Sequence, residues 1–163
     1  MAANFSSTGS DTFPAGMVIQ TVFKMNEAQS QNQVGDGNTY TSDEMILAIT
    51  TSKLNSVLDV EMVSYGTHSQ AGTFGDAWFQ RAVTGGATNQ LEEDKQVNSH
   101  YNRGEGGTNN YEPLVMRYRD TTGYAASTTI TWACRYKRHS GSNSYYFVHS
   151  GFAVFCKITE YSV

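Results

Sequence analysis

Several segments of this chain alternate apolar and polar residues with a period of two, and no other feature limits the fold as strongly. In the segment VLDVEMVSY, the side chains of Leu58, Val60 and Met62 fall on one face, and the two acidic residues between them fall on the other. The same alternation runs through residues 114–119 and 129–137. A period of two is the signature of a β-strand with one buried face. No window of useful length shows a helical period, so the pattern predicts an all-β domain.

Turn-forming residues divide the chain into about eight predicted strands. Gly, Ser and Asn cluster between the apolar runs, as at Gly35–Asn38 and His139–Asn143. The predicted strands are residues 17–23, 45–50, 57–65, 74–83, 114–119, 129–137, 145–148 and 152–158. Short antiparallel strands separated by such turns predict a β-sandwich of the jelly-roll type.

The stretch 85–110 departs from this alternation because it is polar, glycine-rich and sprinkled with charge. We expect one or two exposed loops here, with room for a short strand. Within it, Gln90–Val97 is the one weak helix candidate, and its residues fit a solvated turn equally well.

The composition suits strands and excludes two classes of partner. Of the 163 residues, 12% are aromatic and only 16% are charged, against about 25% charged in an average domain. The net charge of −4 leaves no basic surface for nucleic acid or an anionic membrane. The opening MAANFSSTGSDTFPAG lacks the regions of a signal peptide, and no run of about 18 apolar residues occurs. We therefore expect one domain that is neither exported by a signal peptide nor inserted into a membrane.

The two cysteines, Cys134 and Cys156, are too few for a disulfide framework and too far apart in sequence for a metal-binding pair. Both fall on the apolar side of a predicted strand. We expect two reduced thiols in the core. Trp78 and Trp132 lie within predicted strands and are expected in the core as well.

The N-terminal segment 1–16 differs from the sandwich predicted for residues 17–163. It is rich in Ser, Thr, Gly and Ala, with too little apolar surface for a core of its own. Such a segment is ordered when another subunit or an assembly holds it. We therefore interpret residues 1–16 as an extended attachment arm, with Phe5, Phe13 and Pro14 as its candidate contact residues.

The residues that could carry catalysis or bind a metal do not form a recognised site. The four histidines are widely spaced and form no zinc-binding pair. The glycine-rich segments 35–38 and 103–107 match neither a calcium loop nor a phosphate loop. Glu92–Asp94 could supply a carboxylate pair for cleaving polysaccharide, but adjacent acids on a polar loop fit a solvated turn better. The sequence thus predicts no enzyme, no cofactor and no metal.

Several tyrosines fall in or near predicted loops. Aromatic rings stack on sugars and also anchor protein interfaces, and the sequence does not distinguish these two roles. The candidate ligand or interface aromatics are Tyr101, Tyr111, Tyr124, Tyr145 and Tyr146.

Five segments occur in a distinctive order: PAGMVIQTV, ITTSKLNSVLDVEMVSYG, WFQRAV, YEPLVMRYRDTTGYAASTTITWACRYK and FAVFCKITEYSV. Over residues 14–163 this order resembles a family of small β-domains from tailed phages, especially those of marine and cyanobacterial hosts. In such phages the domains occur in tail fibres and other virion surface proteins. The closing strand here departs from the family in its aromatic content and in Cys156, and the stretch 85–110 has its own sequence.

The resemblance implies a jelly-roll homotrimer that is made in the bacterial host's cytoplasm and displayed on the virion surface. Its N-terminal segment would attach to a capsid, portal or tail component. We therefore expect a virion fibre, knob or decoration unit with a role in host attachment. An alternative is a lectin-like module that binds host glycan through residues 66–73, 85–112 and 139–144. A polysaccharide-degrading enzyme is the least favoured hypothesis.

Overall fold

The chain folds into two stacked antiparallel sheets, and every regular element of the described residues is a strand. The structure, a computed structural model, describes residues 14–27, 33–34, 39–68, 74–91, 98–101, 110–140, 145–146 and 151–163. The strands are β1 (Val18–Glu27), β2 (Gln33–Val34), β3 (Thr39–Thr50), β4 (Val57–His68), β5 (Phe74–Val83), β6 (Thr88–Leu91), β7 (Asn98–Tyr101), β8 (Asn110–Asp120), β9 (Thr129–Ser140), β10 (Tyr145–Tyr146) and β11 (Ala153–Tyr161). Over these ranges, no helix long and apolar enough to cross a bilayer is present.

The strand order is that of a jelly roll. One sheet runs β1-β11-β4-β8, and the short strands β10 and β2 extend it where β11 ends. The other sheet runs β3-β9-β5, with β6 and β7 following each other along the free side of β5. When β6 and β7 are counted as one interrupted strand and the two-residue strands β2 and β10 are set aside, the described strands form two four-stranded sheets. This arrangement confirms the predicted all-β, jelly-roll-like sandwich.

The core lies between the sheets and is built from the predicted alternating positions. Leu58 and Met62 are fully buried and Val60 nearly so, whereas the acids between them are partly exposed. Trp132, at the centre of the core, packs edge-on against the ring of Phe79, with the ring centroids 5.8 Å apart. Both predicted core tryptophans are buried, Trp78 at 2% exposure and Trp132 at 0%.

Both cysteines are free and buried, as predicted. Cys134 on β9 and Cys156 on β11 reach the core from opposite sheets, and the Cys134 thiol lies 3.1 Å from the sulfur of Met116. Burial raises the pKa of the Cys134 thiol, and it raises the pKa of Cys156 to about 11.

We expect these two thiols to react with an aromatic disulfide reagent at least about a hundredfold more slowly in the folded protein than in denaturant, because only the exposed thiolate attacks. The absorbance of the released thiol measures both rates, with a free cysteine derivative as the control for the effect of denaturant. Rapid reaction of one thiol in native buffer would contradict the burial described here.

Several boundaries differ from the sequence-based predictions. The strand β3 begins at Thr39 rather than at residue 45, and a register shift between Thr41 and Ile46 accommodates its polar first half. The stretch 85–110, expected to be mainly loop, contributes β6 and β7. In the weak helix candidate, Gln90 and Leu91 belong to β6, and residues 92–97 lie outside the described part of the chain. The predicted turn at 35–38 also lies outside it, and of the predicted turn at 139–143 the first two residues belong to β9 and the other three lie outside the described part.

Candidate functional site

The two ends of the sandwich are formed by different segments of the chain. At one end, which we call the arm end, the backbone N–H of Gly16 donates to Ser162, and the loops 51–56 and 121–128 hydrogen-bond to each other. The opposite end, which we call the loop end, is bounded by strand ends that pair in register: His68 with Asn110 in one sheet, and Phe74 with Ser140 in the other. Since β4 has twelve residues, the two ends lie about 36 Å apart.

The arm reaches the sandwich through a short clasp around Ser162. Pro14–Met17 forms a turn closed by the Met17 N–H and the Pro14 carbonyl at 3.1 Å, and Gly16 adopts the positive φ of 81° that this turn requires. The Ser162 hydroxyl donates to the Pro14 carbonyl at 2.5 Å, and the Ser162 N–H donates to the Met17 carbonyl at 2.9 Å. Of the predicted contact residues, Phe5 and Phe13 lie outside the described part of the chain, and Pro14 is exposed.

Three of the candidate tyrosines occupy adjacent register positions at the loop end. On one side of β4, Tyr111 pairs with Thr67. On the other side, Tyr146 pairs with the same Thr67, and Tyr145 pairs with His68. Residues far apart in sequence therefore meet at the last two positions of one strand.

Tyr101 lies at the same end but in the other sheet. It ends β7 and pairs with Phe74, the first residue of β5. The topology thus brings four of the five candidate tyrosines to the loop end.

Tyr124 differs from the other four and corrects an expectation. It was predicted to be a loop aromatic available for contact, yet it lies at the arm end with only 6% exposure. Its hydroxyl donates to the Asp120 carboxylate at 2.5 Å. Tyr124 is therefore part of the packed interior.

Tyr124 belongs to a buried polar network centred on Asp120, which is 1% exposed. Arg81 on β5 contacts both carboxylate oxygens at 3.0 and 3.1 Å, and the Thr122 backbone N–H donates to one of them at 3.0 Å. Burial raises the pKa of the Asp120 carboxyl, but hydrogen bonds from Thr122 and Tyr124 outweigh it and hold that pKa below its ordinary value. Burial and the bond to Asp120 together raise the pKa of the Tyr124 hydroxyl. The network thus fixes a charged Asp120 between the sheets.

A second buried carboxylate, that of Glu160, holds the loop 51–56 at the arm end. It is fully buried and accepts hydrogen bonds from the backbone N–H groups of Ser52 and Lys53 at 2.9 and 3.2 Å. The Ser56 hydroxyl and the Gln20 amide donate to it at 2.6 and 2.5 Å. These bonds connect β11, β1 and the β3–β4 loop around one charge.

Neither carboxylate belongs to a recognised sequence motif, although the sequence contains a signal for both. Asp120 follows Leu114, Met116 and Tyr118 at the next inward position of its strand, and Glu160 follows Ile158 in the same way. An acid at a core-facing position requires partners that satisfy it. The alternation therefore indicates a buried polar cluster at the end of each of these strands.

The hydrogen bonds of both networks hold strands and loops of the sandwich together. Among the described residues, no group of three or more His, Cys, Asp or Glu side chains is placed to hold a metal ion. Glu92–Asp94, the acids considered for polysaccharide cleavage, lie outside the described part of the chain. The arrangement of the described residues at the arm end thus stabilises the fold.

No protein-family model matches this chain, and no curated protein matches it. Among solved structures, a chain in the structure of infectious bursal disease virus, Gx strain, aligns with 96% of this chain at 15% identity and a TM-score of 0.44. Dimeric latent PorU from Porphyromonas gingivalis aligns with 94% of it at 9% identity and a TM-score of 0.40. The chain covers 36% of the viral chain and 14% of PorU.

Proposed function

We propose that this chain is a structural protein of a virion, a jelly-roll fibre, knob or decoration unit. Residues 1–16 would anchor it to a capsid, portal or tail component, and the sandwich would project outward for host attachment. The resemblance to tailed-phage surface domains suggests the type of particle and a homotrimeric state. In this role the chain has no catalytic activity.

The polarity of the sandwich is the observation that carries this proposal. The arm joins the fold at Gly16, beside Ser162, at one end. Four candidate contact tyrosines lie at the other end, about 36 Å away along β4. A module anchored at the first end therefore presents the second end to a partner, and several copies on one particle would add avidity.

Deletion of residues 2–13 tests the anchor without disturbing the clasp, because Pro14–Met17 carries the hydrogen bonds to Ser162. In particles produced from the genome that encodes the chain, we expect mass spectrometry to detect the wild-type chain and at least about tenfold less of the deletion variant. The double variant Phe5→Ser with Phe13→Ser keeps the length of the arm and should be depleted as well.

The thermal unfolding midpoints of these variants should equal that of the wild-type protein, which separates loss of the anchor from loss of the fold. Absence of the wild-type chain from purified particles would contradict the proposal. Incorporation of the deletion variant at the wild-type level would contradict the role of the arm.

A second candidate function, binding of host glycan, is favoured by the tyrosines at the loop end. We expect Tyr111→Ala combined with Tyr146→Ala to weaken binding of the full chain to host cells at least about tenfold, since aromatic rings dominate such contacts. Leu54→Ser is the control, because Leu54 is exposed in the loop 51–56 at the arm end. Equal binding by all three proteins would exclude the loop end as the contact.

A further inference from the structure

The outward surface of the β1-β11-β4-β8 sheet, which we call the outer face, carries large apolar side chains that are exposed to solvent. Phe23 is 71% exposed, Met25 is 68% exposed and Val115 is 42% exposed. The outward positions of an antiparallel sheet that packs on one core are ordinarily polar. Exposed apolar residues that are contiguous mark a surface that binds a partner.

The strand register arranges this face in rows that cross all four strands. An apolar row consists of Met25, Phe155, Val63 and Val115. The next row toward the arm end consists of Phe23, Lys157, Glu61 and Arg117. In that second row, Arg117 donates to Glu61 at 2.9 Å, and its side chain remains 73% exposed.

If a second copy is laid over the outer face with its strands in reverse order, each row meets the same row of the other copy, and the facing residues are complementary. A twofold axis parallel to the strands, between β11 and β4, would lay β1 of one copy over β8 of another and β11 over β4. Lys157 would then face Glu61 of the second copy, and Phe23 would face Arg117, which can stack its guanidinium on the ring. In the apolar row, Met25 would face Val115, so that every position meets a favourable partner.

The third row follows the same rule without placing like charges together. It consists of Thr21, Thr159, Asp59 and Arg119. Reversal places Arg119 over the exposed Thr21, whose hydroxyl can accept a hydrogen bond, and Asp59 over Thr159, which is only 6% exposed, so that no two like charges meet. A net charge of −4 makes copies of the chain repel each other, and in this arrangement the paired opposite charges of the outer face would offset that repulsion.

The size of the outer face is adequate for a specific contact. Four strands at about 4.8 Å spacing and a shared length of about 30 Å, set by the nine residues of β11, give a footprint of about 580 Å² per copy. Two such faces together would bury about 1,150 Å², which is above the roughly 1,000 Å² that a specific protein interface needs.

We propose that the outer face binds a second copy of this chain about a twofold axis parallel to its strands. The contact is isologous, with the Lys157–Glu61 pair and the apolar row formed twice across the axis. This inference rests on the assembly role proposed above, but it replaces the homotrimer that the resemblance suggests with a dimer, because the reversed rows require a twofold axis.

Light scattering coupled to size-exclusion chromatography of the full chain tests the contact. We expect a mass of about 36 kDa, twice the 17.9 kDa of the chain. We expect Phe23→Ser to weaken self-association at least about tenfold. Leu54→Ser is the matched control, since Leu54 is 66% exposed but lies in the loop 51–56, and it should leave the mass unchanged.

A charge exchange tests the alignment of the two copies. Lys157→Glu should weaken self-association about as much as Phe23→Ser, because it places two acids opposite each other. Adding Glu61→Lys to Lys157→Glu should restore the pair. Circular dichroism confirms that each variant is folded, and Met25→Ser replaces Phe23→Ser if the latter does not fold.

A monomeric wild-type protein, a trimer, or a dimer that Phe23→Ser leaves intact would overturn the inference. Failure of the charge exchange to restore the dimer would overturn the twofold alignment. None of these results bears on whether the chain is incorporated into particles, so the proposed function and this contact can fail separately.

Discussion

Replacement of Asp120 by alanine is expected to lower the free energy of unfolding by about 3–5 kcal/mol. The reason is the position of Arg81, whose side chain is only 12% exposed and whose guanidinium contacts both oxygens of Asp120. Without Asp120, Arg81 and the hydroxyl of Tyr124 would remain between the sheets with no anion to satisfy them. Urea unfolding monitored by tryptophan fluorescence measures the loss.

Asp59→Ala is the matched control for this variant. Asp59 also pairs with an arginine, at 3.3 Å from Arg119, but both side chains are substantially exposed. We expect that variant to lose less than about 1 kcal/mol. Losses of similar size in the two variants would show that burial of the Asp120 pair does not determine its contribution.

The Asp120 network also predicts how stability depends on acid. Because the folded pKa of Asp120 lies below its ordinary value of 3.8, its contribution is fully present above that ordinary value and is lost as the pH falls through the lower folded value. Unfolding experiments on the wild-type protein and Asp120→Asn should therefore show a smaller decline below about pH 4 in the variant.

The second large effect is expected at Glu160. Glu160→Ala should lower the free energy of unfolding by about 3 kcal/mol or more, because it leaves several donors in and around a buried site without an acceptor. Glu160→Gln keeps one carbonyl oxygen for the loop and should lose less. Urea unfolding measures this, and we expect the free energy of unfolding to decrease from the wild-type protein to Glu160→Gln and further to Glu160→Ala.

Amide hydrogen exchange gives a local test of the same prediction. In the wild-type protein, the N–H groups of Ser52 and Lys53 both donate to the Glu160 carboxylate. In Glu160→Ala this acceptor is gone, so both amides should exchange faster. Unchanged exchange at these two amides would mean that the carboxylate does not hold the loop.

The local pattern of the sequence predicts the core faces well, because successive residues of a strand point to opposite faces and the buried face is apolar. The alternation at Leu58, Val60 and Met62 predicts which side chains are buried, and the structure confirms it. The first half of β3 is different. Its residues Thr39–Glu44 are polar, and of these Thr39–Thr41 pair with β9 beyond the register shift, which no local pattern encodes.

The candidate site was predictable only in part, because it is assembled from distant segments. Tyr111 and Tyr146 pair with Thr67 from the two sides of β4, and this proximity cannot be inferred without the strand order. Tyr124 was predicted to be accessible, whereas its burial depends on Asp120, four residues earlier, and on Arg81 from another strand. Threonine, glycine and serine around Tyr124 indicate a loop, but they do not indicate what covers it.

The pairing of β1 with β11 has a mechanical consequence. The arm continues directly into β1, which is in antiparallel register with β11 at nine positions and is clasped by Ser162 at its start. A pull between the arm and the loop end would act along the strands, so these hydrogen bonds would be sheared together rather than opened one after another. If the chain tethers a particle to its host as proposed, β1 lies in the orientation that resists such tension best.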